Sequence, residues 1–520
     1  MTSQISRRQF LRSAGGITFL ALAPTGRGLF AAISPIKSLA VPIFTALPYV
    51  QPGPEGGLVP GGETVRLAWQ TLKTDAAFEV QFGRGETYGR TAAVERSARD
   101  YAGKSDKDSR YNYVSACAGL ELGTEYRYRV RCNATTIAEG YFTTRQPRGR
   151  KIRFAAFGDN AFGEPGERAI AYQAYRANPD FIQNTGDNVY ESGLDTEYSR
   201  HFFPVYNADF ASPGIGAPLL RSVPFYTVIA NHDVEGVIPD TKTPCANFAL
   251  NADALAYYTN FHFPLNGPAP AQATTLFGPE ARLANFKTAA AARFPTMANY
   301  SYDVGDAHFV CLDSNVYIDP TDATLHAWLD ADLAATDARW KFVTFHHPCF
   351  NIGAHHSHEQ QMRMFAPLFE KHQVNFVLSG HEHNYQRTQP LRFAPRDTAK
   401  AKNLNSKDRL IAGEFTIDRN FDGERTTRAE GVIYITTGAG GKYLYDPEFN
   451  NAPEKWSLPE DGNVRYVAQM VSDRHSLTIF DVERDEVLLR QIDERGNEID
   501  RIRLTAPTGD ITKASVARRG

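Results

Sequence analysis

Seven polar residues stand where apolar runs end. Ile152–Phe157 leads into Gly158-Asp159, and Phe181–Thr185 into Gly186-Asp187-Asn188-Val189-Tyr190. Phe225–Ile229 leads into Ala230-Asn231-His232-Asp233, Lys341–Phe345 into His346-His347-Pro348, and Val374–Leu378 into Ser379-Gly380-His381-Glu382-His383. Any one of these alone reads as a turn, a helix cap or a satisfied histidine. Together, carboxylates, a phenol, an amide and imidazoles supply the oxygen and nitrogen donors that first-row metal ions take. Ligands of α/β sheets gather beyond the carboxyl ends of the strands, so five such ends would bring these donors to one place.

The ordered series Asp159, Gly186-Asp187-x-x-Tyr190, Asn231-His232-Asp233, His346-x-Pro348 and Gly380-His381-x-His383 resembles the calcineurin-like metallophosphoesterases. Tyrosine after Gly-Asp-x-x marks the purple acid phosphatase branch of that family. Tyr300-Ser301-Tyr302 through His308-Phe309, and Tyr434 through Gly441, are similar to its later core segments. The resemblance implies a two-metal acid phosphatase that cleaves small-molecule phosphate monoesters. It implies that Asp159, Tyr190 and His383 hold Fe(III), that Asn231, His346 and His381 hold a divalent ion (Zn, Fe or Mn), and that Asp187 bridges them. A hard anionic set suits the trivalent ion, and two imidazoles with an amide oxygen suit the divalent one. The family's His-x-Pro spacing selects His346 and leaves His347 outward-facing or behind the ligands. His232, His355 and His356 match positions where the family places histidines around the phosphoryl group, to bind its oxygens and protonate the leaving alkoxide. Water activated by the two ions would then displace the alcohol in line. One departure is Ala230, where the family has glycine before Asn-His.

Two other readings use the same residues. A phosphodiesterase or nucleotidase needs the same ions and differs only in the surrounding pocket. A surface binding protein with a dead site would lack ligands, and all seven are present.

The elements that must position these groups follow from the pattern of the chain. A length of 520 residues exceeds a single hydrophobic core. From Val41 to Pro147 short runs alternate with period two, as in Phe78-Glu79-Val80-Gln81-Phe82, with turn residues between them. This predicts an all-β sandwich, and Leu122-Gly123-Thr124-Glu125-Tyr126 resembles the tyrosine corner of a fibronectin type III-like domain. Gln146–Arg150 reads as a linker. Over 151–505, strands alternate with helical spacing such as Leu325, Trp328, Leu329 and Leu333, which predicts an α/β (α+β) domain of two sheets flanked by helices. Two longer segments, Val234–Met297 and Phe393–Glu430, follow the strand ends and are expected at the rim of the site. Residues 506–520 read as a tail.

Residues 1–40 read as a signal peptide. Arg7-Arg8-Gln9-Phe10-Leu11 precedes a short apolar stretch from Ile17 to Ala23, as in twin-arginine export, and Ser38-Leu39-Ala40 offers a cleavage site. The expected partner in export is the twin-arginine translocase, and the expected location periplasmic or secreted. The apolar stretch is too short for a permanent span. A net charge of -3 gives no electrostatic case for a nucleic-acid partner. Five cysteines without CxxC spacing read as buried or free thiols, with a Cys117–Cys132 bridge left open.

Overall fold

The computed structural model describes residues 44–99, 109–238, 241–268 and 273–506. The twin-arginine segment and the rest of residues 1–40 lie outside the described residues, as does all of the tail after Ala506.

Alternation between residues 44 and 143 builds two antiparallel four-stranded sheets. One orders Phe44–Pro52, Glu63–Leu72, Arg110–Leu120 and Val94–Arg99; the other orders Arg90–Ala92, Phe78–Gly83, Glu125–Cys132 and Thr135–Thr143. Their inner faces bury Val50, Leu67, Val80, Val130 and Phe142, with Trp69 stacked on Tyr113 at 5.3 Å. The Tyr126 hydroxyl accepts a hydrogen bond from the Glu121 N–H at 3.1 Å, pinning the corner before its own strand. All five cysteines are free thiols, so Cys117 and Cys132 are not bridged.

Two larger sheets follow. The first orders Phe225–Thr227, Phe181–Asn184 and Ile152–Phe157 in parallel, then Ser476–Val482, Glu486–Asp493 and Glu498–Thr505 antiparallel. The second orders Tyr300–Val304, Ala307–Cys311, Trp340–Thr344, Phe376–Ser379, Ile433–Thr437, Tyr385–Thr388 and Val467–Val471. Aromatic side chains fill the space between them: Phe154 of the first meets Phe309 and Phe342 of the second edge-on, each at 5.2 Å. Buried on both faces, the parallel strands are nearly continuous apolar runs. The helix Ala323–Ala335, capped by the Asp322 carboxylate on the Leu325 N–H, buries Leu325, Leu329 and Leu333 on the outer face of the second sheet. Trp328 instead turns away and donates to the Asn266 carbonyl at 2.9 Å.

Three expectations change. The Gln146–Arg150 linker is strapped down, with Arg148 paired to Asp303 and Asp337 and the Gly149 N–H bonded to Asp306. The middle of Val234–Met297 is a buried wedge rather than a rim. Phe261 and Phe263 enter the core, and the Asn260 carbonyl and side chain accept from Tyr49 and Gln70 of the sandwich. Ala506, the first tail residue, is buried and donates its N–H to the Asp485 carbonyl.

Candidate metal centre

The parallel strands of both sheets end at the same place. Asp159, Asp187 and Asn231 follow strands of the first sheet, and His346, His381 and His383 follow strands of the second. Asp159, Asp187 and His381 have φ of 56°, 49° and 68°, the left-handed region that costs a non-glycine residue of order 1 kcal/mol or more. Each follows a glycine that lets neighbouring backbone approach. A Cβ on Gly380 would stand 2.5 Å from Asp159 Oδ2, and one on Gly186 would stand 2.9 Å from His346 Nδ1. Ala230, by contrast, has φ −125° and ψ −179°, extended backbone that needs no glycine.

Six of the predicted side chains converge. Asp159 Oδ1 lies 3.3 Å from the Tyr190 hydroxyl, 3.5 Å from His383 Nε2 and 4.0 Å from His346 Nε2. His346 Nε2 lies 3.4 Å from Asp187 Oδ2 and 3.1 Å from His381 Nδ1. All six are buried. Asn231 opens the short turn Asn231–Asp233, and its Oδ1 is buried without a hydrogen-bond donor. Asp233 fixes that turn by accepting from the Ala230 N–H and from the Asn188 amide.

Backbone carbonyls set the imidazoles. His346 Nδ1 donates to the Thr185 carbonyl and His383 Nδ1 to the Tyr443 carbonyl, so both Nε2 atoms point into the cluster towards Asp159. Asp159 itself accepts from the His381 N–H with both oxygens at 3.0 Å. Burial, reinforced by the charge of Asp187, pushes Asp159 up to about 8. Burial acts on Asp187 in the same direction, but His346 and His232 outweigh it and hold this carboxyl well below the usual range. Burial lowers His381 to about 3, with His356 adding to it. Opposing carboxyl shifts packed against imidazoles are the pattern of a functional cluster rather than of a plain core.

The remaining predicted histidines surround this cluster. His232 donates its N–H to Asp187 Oδ1 at 3.0 Å, and its Nδ1 meets the Glu191 carbonyl at 2.8 Å, leaving Nε2 free. His356 lies with its ring 3.8 Å from that of His381. His355 stands farther out, half exposed and stacked on Tyr445 at 4.1 Å; Tyr445 in turn stacks on His383 at 4.0 Å. His347 is buried behind His381, bonded to the Ser314 hydroxyl, and does not face outward.

Residues 152–385 match the family model described as calcineurin-like phosphoesterase. That segment, just under half of the chain, carries a calcineurin-like phosphoesterase domain. An uncharacterized protein of Mycobacterium tuberculosis is 26% identical over 413 residues, covering 72% of this chain and 66% of that one. Tartrate-resistant acid phosphatase type 5 of Sus scrofa is 24% identical over 254 residues, covering 45% and 65%. The chain thus spans just under two thirds of the length of these relatives. A purple acid phosphatase from yellow lupin (Lupinus luteus) seeds shares the fold, with a TM-score of 0.61 at 18% identity over 89% of this chain and 77% of that one.

Two side chains at the cluster escape the motif reading. Glu359 is buried among three histidines: its Oε1 lies 2.9 Å from His356 Nδ1 and 3.5 Å from His381 Nε2, and its Oε2 lies 3.9 Å from His347 Nε2. These imidazoles hold Glu359 well below the carboxylate range against the effect of burial. Arg409, from the Phe393–Glu430 segment, bonds the loop on both sides of Glu359, to the His358 carbonyl and the Gln360 N–H. That segment therefore braces the histidine loop from behind. Lys442 is buried, with its ammonium 3.6 Å from the centre of the Tyr190 ring and 3.4 Å from Glu191. The sequence signal for Glu359 was its place in His355-His356-Ser357-His358-Glu359, a run of metal-type side chains beside the predicted phosphate histidines.

Proposed function

We propose that this chain is an exported phosphate-ester hydrolase of the purple acid phosphatase type, working with two metal ions. The observation that carries it is the convergence of buried Asp159, Asp187, Tyr190, His346, His381 and His383, with Asn231 Oδ1 buried beside an unmet donor requirement. The residues fit the ions that the family implies. Asp159, Tyr190 and His383 form an anionic set for Fe(III), Asn231, His346 and His381 a neutral set for Zn, Fe or Mn, and Asp187 reaches both. The carbonyls of Thr185 and Tyr443 orient two of the imidazoles as metal-ligating histidines are oriented. When bound, such ions supply Lewis acidity and an acidified water.

The chain's own groups account for the rest. His232, with its backbone N–H on Asp187 and its Nε2 free, and His356, beside His381, bind phosphoryl oxygens; His355 stands at the mouth, where a leaving alkoxide needs a proton. Two antiparallel four-stranded sheets, together with the Tyr126 hydroxyl bonded to the preceding corner, support the fibronectin type III-like reading of residues 41–147. The catalytic domain is taken as 151–505, and Arg7-Arg8 support twin-arginine export. No helix among the described residues is long and apolar enough to cross a membrane.

Protein loaded with iron and zinc should bind two ions per chain and release phosphate from aryl monoesters faster than from diesters. Two bound ions with no ester hydrolysis would sink the proposal; a preference for diesters would move it to the phosphodiesterase reading.

A further inference from the structure

Beside the metal centre lies an open groove of about 600 Å³, within the size range of small-molecule sites. Tyr443 forms one wall and is 52% exposed, while its ring centre is 5.6 Å from that of His383. The same ring therefore faces both the groove and the mouth of the site. Pro165 and Ala169 from the start of the helix Pro165–Ala177, with Pro213, give the groove an apolar lining. His475 lies tight against this helix, where a side chain on Gly166 would strike its imidazole. The charged lining residues are Glu164 and Glu494, with no lysine or arginine among them. Glu494 is paired with Arg495 at 3.5 Å, and Glu164 is exposed. A second phosphate placed there would meet carboxylate and no lining cation, whereas a planar ring would meet a tyrosine face and apolar walls.

We propose that this groove is the leaving-group subsite, taking the aromatic ring of an aryl or nucleoside monophosphate against Tyr443. This rests on the phosphoester hydrolase reading and narrows its substrate class. An ester bound with phosphorus at the Asp187 cluster would direct its alcohol portion past His383 towards Tyr443. Aromatic monoesters would gain stacking there, aliphatic esters would not, and nucleoside triphosphates would be disfavoured.

The test is steady-state kinetics of the metal-loaded full chain on 4-nitrophenyl phosphate, adenosine monophosphate, glycerol 2-phosphate and adenosine triphosphate. Variants are compared with wild type for each substrate, so intrinsic leaving-group reactivity cancels. Tyr443→Ala should lower kcat/KM for the two aromatic monoesters about three- to tenfold more than for glycerol 2-phosphate, mainly through KM. Ala169→Phe, which fills the groove without touching the metal cluster, should shift the same ratio in the same direction. A fall confined to one aromatic substrate supports the subsite and tells aryl from nucleobase. Ratios unchanged in both variants, with turnover intact, overturn the subsite alone. Failure of wild type on all four esters overturns the hydrolase reading and this proposal with it.

Discussion

His346 Nε2 and His381 Nδ1 face each other across 3.1 Å, two imidazole nitrogens carried by neighbouring parallel strands. Two lone pairs cannot be held that close without something positive between them. In the metal-free chain it is a proton: Asp187 and Asp159 raise His346 to about 9 against burial, so His346 donates to the neutral His381. On the proposed reading, these two imidazoles would help hold the divalent ion, whose binding would release that proton.

On the proposed two-metal reading, Asp187 is the carboxylate that bridges the ions. Asp187→Asn should therefore reduce occupancy from two ions to one or fewer, and turnover by about a hundredfold or more. Elemental analysis after metal loading and gel filtration checks it. Two ions retained at a wild-type rate would remove Asp187 from the bridging role.

Glu359 acts through the histidines it touches. Glu359→Gln keeps the shape and removes the charge that faces His356, His381 and His347. Metal affinity on the His381 side should drop about tenfold to a hundredfold, the range seen for outer partners of metal histidines. Competition with a chelator reads this directly. An affinity equal to wild type would mean that Glu359 only fills space.

These two residues also show what was legible in the sequence. Asp187 stood out because Gly-Asp-x-x-Tyr at a strand end is a short local pattern. Glu359 did not, because its role comes from a loop folding under His381, and no periodicity marks that approach. The apolar runs placed the parallel strands to within a residue or two, for example Trp340–Thr344 for the expected Lys341–Phe345. Their ends were less visible, since the chain leaves the sheet where Asp159, Asp187 and His381 turn left-handed. The Gln146–Arg150 segment looked like a linker on composition, yet composition says nothing of Asp303, Asp337 and Asp306, which hold it.

His308 bears on the stability of this junction. It lies between Asp303 at 2.7 Å and Asp332 at 2.9 Å, and Asp303 also receives Arg148. The two carboxylates raise the imidazole to about 9 even though burial opposes them. A raised histidine stabilises fully below its ordinary value near 6.5, and the contribution is lost as pH climbs through about 9. His308→Gln should thus cost on the order of 2 kcal/mol near pH 6 and much less near pH 9.5. Thermal unfolding of both proteins across that range measures the difference; a gap that does not change with pH would rule out the imidazolium clamp.

Export is tested at the N-terminus. Replacing Arg7 and Arg8 together with lysine removes the paired guanidinium groups while keeping the charge. Precursor should accumulate inside the cell, as cell fractionation and immunoblotting would show. Mature protein outside at wild-type levels would exclude the twin-arginine route.

Colour separates the purple acid phosphatase reading from other two-metal phosphoesterases. A phenolate bound to Fe(III) donates charge in visible light, so iron-loaded protein should be pink to purple. Tyr190 is the phenol in position, 3.3 Å from Asp159 and with its ring 4.6 Å from that of His232. Burial and the nearby charges of Asp187 and Asp159 keep the metal-free phenol protonated, its acidity well below the usual. The Lys442 ammonium, 3.6 Å from the ring centre, favours electron density on that ring. Tyr190→Phe retains the ring and its packing on Phe162 while deleting the donor oxygen. The visible band should vanish, and part of the hydrolysis should remain because Asp187 and the histidines are untouched. Lys442→Met should instead keep the band and move it to lower energy, since the cation that stabilises the phenolate electrons is gone. An unchanged band in iron-loaded Tyr190→Phe would remove Tyr190 from the metal and, with it, the assignment to the purple branch.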